Sequence, residues 1–167
     1  RGARDSMETV IADLKALGAD CAPHEHPAVL TAEEQETHIG HLKGAHVKNL
    51  FVSDKKHGYF LITIGMERRV DLKAVAKALG LAGANMRFCD KESLKSVLGV
   101  EQGAVSPLAL ANDAEGKVTF VLDAAVAKAE AVCVHPLVNT CTLEVPTPAL
   151  LAFLARHKHE PKELDFD

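Results

Sequence analysis

Apolar positions recur along the chain in two rhythms, and the switches between them lay out a series of helices and strands. Met7, Val10, Ile11, Leu14 and Leu17 fall at helical spacing, and Gly18 follows as a stop. "TAEE" at 31–34 is a capping-box pattern that predicts a second, short helix. "HVKNLFVSD" (46–54) reads as a strand, residues 55–58 as a turn, and "YFLITI" (59–64) as the returning strand of a hairpin. Asp71 caps a helix over 72–79 whose apolar face is Leu72, Val75, Ala76 and Leu79, closed by Gly80. "NMRFC" (85–89) predicts a strand, and Asp90 caps a helix over 91–98 that ends at Gly99. A turn at Asn112–Asp113 leads into the strand 117–122, and Asp123 opens a short Ala-rich helix. Strands at 131–135 and 140–145 follow, and Thr147-Pro148 opens the last helix with proline at its favoured first position.

Helices and strands interleave with no low-complexity linker and no internal repeat. The expected fold class is therefore α+β, a mixed and largely antiparallel sheet covered by helices. A length of 167 residues suits one domain with a full core. Residues 1–6 are expected to be a tail, a cloning remnant or an upstream linker, since Met7 stands as a candidate start; 7–167 would form the single domain.

Composition narrows the function. A 47% hydrophobic content is that of a globular chain. A net charge of −4, no Trp and one Tyr argue against a long phosphate track or an extended stacking surface. They leave room for a protein that reads only the tip of an RNA. No stretch is long and apolar enough to span a bilayer, and the first residues lack the apolar core of a signal peptide. No membrane partner is expected. Cys21, Cys89, Cys133 and Cys141 include no CxxC pair and read as reduced, buried thiols, so the expected compartment is the cytoplasm. The nine histidines include close pairs such as His24/His26, but none has metal-ligand spacing with a nearby carboxylate. No metal and no cofactor are expected.

Three features stand apart from the scaffold. Lys48 sits mid-strand among Val47, Leu50, Phe51 and Val52, where it must snorkel outward or point into a polar pocket. "GAVSP" (103–107) pairs a glycine that permits close backbone approach with a proline that fixes the exit. "VHPLVNT" (134–140) delivers His135 into a proline-bearing turn with Asn139. Each alone also fits a structural role, and the second fits it better: an exposed strand lysine, a packing turn, a turn satisfying its own backbone.

In order, "VKNLFVSDKK", "LGVEQGAVSPLAL" and "VHPLVNT" resemble the prolyl-tRNA synthetase-associated, YbaK-like editing domains, closest to the subgroup that deacylates alanine mischarged on the proline tRNA. The resemblance runs from "EHPAVLTAEE" to the terminal "LDFD". It implies a hydrolase for the ester joining an amino acid to the terminal adenosine of tRNA. By resemblance Lys48 and Gly103 are the catalytic candidates, with Lys48 contacting the tRNA 3′ end and the Gly103–Pro107 main chain bordering the ester. Asn49, Val105, Ser106, Pro107, His135 and Asn139 are the candidate substrate-binding residues. Leu30, Val47 and Leu108 are candidate walls of a small pocket. The implied partners are the acceptor end of proline tRNA carrying a small amino acid and a prolyl-tRNA synthetase, in cis or in trans. Rival readings are a deacylase for cysteinyl or seryl tRNA, a non-catalytic accessory domain that binds tRNA or a partner, and a metal-binding module.

Overall fold

The alternation in residues 45–65 becomes the spine of the molecule. The structure, a computed structural model, describes residues 5–29 and 31–167. Its elements run α1 (Met7–Ala16), β1 (Pro23–Glu25), α2 (Ala32–Ile39), β2 (Ala45–Asp54), β3 (Gly58–Gly65), α3 (Leu72–Ala78), β4 (Arg87–Phe88) and α4 (Lys91–Ser93). After a π-helical stretch over Leu94–Leu98 and a 3-10 helix over Pro107–Asn112 come β5 (Val118–Asp123), α5 (Ala124–Ala127), β6 (Ala131–Val134), β7 (Cys141–Pro146), α6 (Thr147–Arg156) and β8 (Lys162–Leu164).

The strands form one mixed sheet in the order β1-β7-β6-β2-β3-β5-β8, with β4 pairing β2 to the side. Pairs β1/β7, β2/β3, β2/β4 and β6/β7 are antiparallel, while β2/β6, β3/β5 and β5/β8 are parallel. This is the mixed, mostly antiparallel sheet that the alternating patterns predict. Both faces of its centre are covered, which is why "YFLITI" is apolar at nearly every position. Val47, Phe51, Leu61, Phe120 and Leu122 join a core with Val10 and Leu14 of α1 and Leu150, Phe153 and Leu154 of α6. Val52, Phe60, Ile62, Ile64 and Val121 face the other way, onto Val75 and Ala76 of α3. Each such buried side chain contributes about 1.5–3 kcal/mol by leaving water.

Several elements depart from expectation. The strand predicted over 85–89 contracts to the two residues of β4. The single helix predicted over 91–98 splits into α4 and a π-helical stretch. Apolar spacing of three and four serves both helix types, so the widened turn has no sequence signature. The Asn112–Asp113 turn is buried: the Asn112 side chain donates to the Leu98 carbonyl (2.9 Å) and accepts from the Asp5 N–H (2.8 Å). β1 and β8 carry no strand pattern in the sequence, because their residues are mostly polar and their pairing depends on neighbours far along the chain. Ser6 caps α1 in a reciprocal box with Thr9. Cys21, Cys89, Cys133 and Cys141 are all free thiols.

Candidate active site

β2 is where the sheet forks. One edge is paired along its length with β3, from Val47↔Gly65 to Asp54↔Gly58. The other edge meets β6 only at Ala45–His46 and β4 only at Val52–Ser53. Between those anchors, residues 47–51 present a strand edge that no strand covers. The Met66 N–H bonds the His46 carbonyl (2.9 Å) and the Cys89 N–H bonds the Phe51 carbonyl (3.0 Å). Hydrogen bonds alternate along an antiparallel ladder, so even-numbered residues turn their main chain to β3. Asn49 therefore turns its N–H and C=O to the open edge.

A cleft of about 510 Å³ wraps this edge, lined on one side by Lys48, Leu50 and Met66 and on the other by Gly103, Val105 and His135. Lys48, Asn49, Gly103, Val105 and His135, candidates from three separate stretches of sequence, thus share one cavity. Ser106 and Pro107 do not line it. Both are buried under the loop, where the Ser106 Oγ accepts the Leu108 N–H (3.0 Å) and caps the 3-10 helix that Pro107 begins. Of the proposed walls, Val47 lines the cleft, Leu108 lies fully in the core, and Leu30 lies outside the described residues.

Glycine at 103 answers two demands at once. Its φ is +93°, and a Cβ there would come 2.8 Å from the Asn139 side-chain nitrogen. That nitrogen donates to the Val29 carbonyl (2.8 Å), so the side chain that crowds Gly103 is itself tied to Val29. Lys48 donates from Nζ to the Arg68 carbonyl. The Arg68 guanidinium in turn holds Asp123 through Nε (2.6 Å), and Asp123 accepts the Gly65 N–H (3.1 Å) and the Ala125 N–H (3.0 Å). A half-buried lysine is thereby tied to a rigid segment, with two of its three donors left to the cleft.

Comparisons with known proteins bear on the family and the fold. The model for the aminoacyl-tRNA editing domain matches residues 26–153. The chain belongs to the aminoacyl-tRNA editing domain family. It is 43% identical over 157 residues to the prolyl-tRNA synthetase associated domain-containing protein 1 of Bos taurus, covering 92% of this chain and 91% of that one. It is 31% identical over 140 residues to the prolyl-tRNA editing protein ProX of Acetoanaerobium sticklandii, covering 83% and 84%. A crystal structure described as a candidate trans-editing enzyme for prolyl-tRNA synthetase superposes with a TM-score of 0.70 at 20% identity, over 99% of this chain and 100% of that one. At that identity the likeness concerns the fold.

Besides Lys48, the editing domain's cleft is lined by two further titratable side chains, His135 and Cys89. His135 holds the Cys141 carbonyl through Nδ1 (2.9 Å), which assigns the proton to Nδ1 and leaves Nε2 an acceptor. Burial pushes the imidazole below its ordinary pKa, the Cys141 hydrogen bond works against that, and the nearby His26 ring adds to the depression. His26 is held by Thr142, whose Oγ1 is 2.8 Å from Nε2, and sits with its ring centroid 6.0 Å from that of His135. Cys89 lines the cleft too, but burial raises its pKa, so it stays a thiol and a poor nucleophile. Among the described residues no group of three His, Cys, Asp or Glu side chains is placed to hold a metal ion, and no helix is long and apolar enough to cross a membrane.

Sequence reasoning passed over Phe88, Cys89 and Leu94, which also line the cleft. An apolar residue in a strand or helix pattern reads as core. Only its position beside a gap in the sheet, which no local pattern announces, makes it a lining residue.

Proposed function

We propose that this chain is an aminoacyl-tRNA deacylase that hydrolyses the ester of alanine mischarged on proline tRNA, proofreading for prolyl-tRNA synthetase. One observation carries the reading: Lys48, the Gly103 main chain and His135 line a single cleft that offers no activated side-chain nucleophile. An aminoacyl ester is already reactive, so catalysis reduces to placing water and receiving the developing oxyanion.

Water adds to the acyl carbon, the oxyanion collapses, and the acyl–oxygen bond breaks. The leaving ribose oxygen takes a proton and the free amino acid departs. Ala104 spends its N–H on the Glu101 carbonyl (3.1 Å), so Gly103 and Val105 are the loop residues whose N–H groups serve the oxyanion. The Gly103 carbonyl orients the water, and His135 Nε2 accepts a proton or a substrate hydroxyl. Lys48 contacts the tRNA 3′ end. One such oxyanion donor is worth about 10²–10³ in rate.

Selection rests on size. A pocket made for proline rejects smaller amino acids by only about 1–3 kcal/mol, and a second, smaller site hydrolyses what the first lets through. The test is deacylation of proline tRNA charged with alanine, cysteine, serine or proline. Alanyl ester is expected to be cleaved and prolyl ester spared. Equal rates on all four would defeat the size argument, and preference for cysteinyl or seryl ester would reassign the substrate.

A further inference from the structure

Among the described residues, Phe88 is the large apolar side chain left exposed, at 62% of its surface. It lines the mouth of the cleft. Its register partner is Val52, and directly opposed residues share a sheet face, so Phe88 lies on the face of Lys48, Leu50 and Val52. Four residue steps along the strand carry Lys48 to Val52, about 13 Å. The core on this face is closed by Val52, Met86 and their neighbours without Phe88.

Arg87, the chain neighbour of Phe88, lines a second hollow of about 600 Å³ together with Lys55 and Lys56. All three cations are exposed. Among the described residues none forms an ion pair with a carboxylate. The acid at this hollow, Asp54, is buried and spends its carboxylate on the N–H groups of Asn85 (2.6 Å), Lys56 (3.0 Å) and His57 (3.0 Å). Among the described residues, a chain of net charge −4 thus gathers three cations without a carboxylate partner in a hollow that begins one residue along β4 from its exposed phenyl ring.

We propose that Phe88 is the stacking platform for the terminal base of the tRNA, and that Lys55, Lys56 and Arg87 receive the phosphates of the unpaired strand leading to it. The inference rests on the deacylase reading and extends it from the ester to the nucleotides behind it. An aromatic face next to unpaired cations is the chemistry of single-stranded nucleic acid binding. A protein partner would instead need a contiguous exposed apolar patch, and among the described residues Phe88 is the large apolar side chain that is exposed. One ring suits one base, in keeping with a composition poor in aromatics. With the base on Phe88, the attached ribose and its ester extend along the open edge toward Lys48 and Gly103.

Two measurements test this. The first uses an uncharged RNA of the tRNA's 3′ sequence ending in 2-aminopurine, whose fluorescence is quenched on stacking. Wild type and Phe88→Tyr are expected to quench it, and Phe88→Leu to leave it bright, with melting temperatures unchanged because the ring lies outside the core. The second is steady-state deacylation of alanyl tRNA. Phe88→Leu should raise KM by roughly 5- to 150-fold with a smaller change in kcat. Replacing Lys55, Lys56 and Arg87 together with alanine should flatten the slope of log binding against log salt by about 2. Equal quenching and equal KM in Phe88→Leu would overturn the platform, and an unchanged salt slope would overturn the phosphate path. A wild-type protein that quenches the probe yet hydrolyses no charged tRNA would remove the deacylase reading and leave the platform standing.

Discussion

At His135, burial and the neighbouring His26 ring act together to hold the imidazole below its ordinary pKa of 6.5. The neutral ring dominates at physiological pH, with Nε2 free to accept. Protonation would fill that lone pair, so activity that depends on it falls as pH drops through the depressed value. The acid limb of kcat/KM against pH is expected below 6.5, and His135→Asn should abolish that limb along with most of the rate. An acid limb above 6.5, or one that survives the substitution, would take His135 out of the chemistry. Single residues of this kind were the most legible part of the sequence, because each breaks a local rule. Lys48 is a charge inside an apolar strand, and Gly103 carries a φ that other residues resist. Phe88 and Cys89 break no local rule, and only tertiary placement distinguishes them from core.

Among the elements, the segment between β3 and α3 does the most to hold Lys48 in place. Its Arg68 carbonyl receives the lysine, and its guanidinium closes on Asp123, which is 1% exposed. Without Asp123 the Arg68 guanidinium keeps Asp167 through Nη2 (2.8 Å), but the buried Gly65 N–H loses its acceptor, which costs about 1–3 kcal/mol. Asp123→Ala is therefore expected to lower stability by an amount of that order in urea titration. Under conditions where it remains folded, its kcat/KM should also fall, because the Lys48 anchor loosens. Full activity in the folded variant would show that Lys48 keeps its position without Arg68. Element existence was readable here because Asp71 and Asp123 are capping residues next to periodic apolar runs. The fork of β2 between β6 and β4 was not readable. A strand pattern reports which face is buried and says nothing about which edge is paired.

At the level of the whole molecule, both ends of the described chain tie back to its middle, Asp5 to Asn112 and β8 to β5. His159, beyond α6, lies 2.9 Å from the Asp113 carboxylate, which also accepts the Lys117 N–H (3.0 Å) and the Val118 N–H (2.8 Å). Burial pushes the Asp113 pKa up, but His159 and the two N–H groups outweigh it, and the net value falls below 3.8. A depressed carboxylate stabilises the fold above its unfolded pKa and loses that contribution as pH falls through the folded one. Asp113→Ala should cost about 1–3 kcal/mol at neutral pH. In denaturation curves at several pH values, the gap to wild type should narrow below 3.8. A gap that stays constant into acid would mean that the carboxylate's charge plays no part. These long-range ties, like the docking of β8 on β5, join residues that no local window shows together.

The uncovered stretch of β2 has a bearing on solubility as well. Raw strand edges invite neighbouring molecules to pair with them, and proteins usually blunt them with charge, proline or a covering segment. Here the bare interval is closed at both ends by other strands, and Gly103, Val105 and His135 line the cleft beside it. Peptide groups left unsatisfied by the fold face that cleft, where they remain available to a ligand.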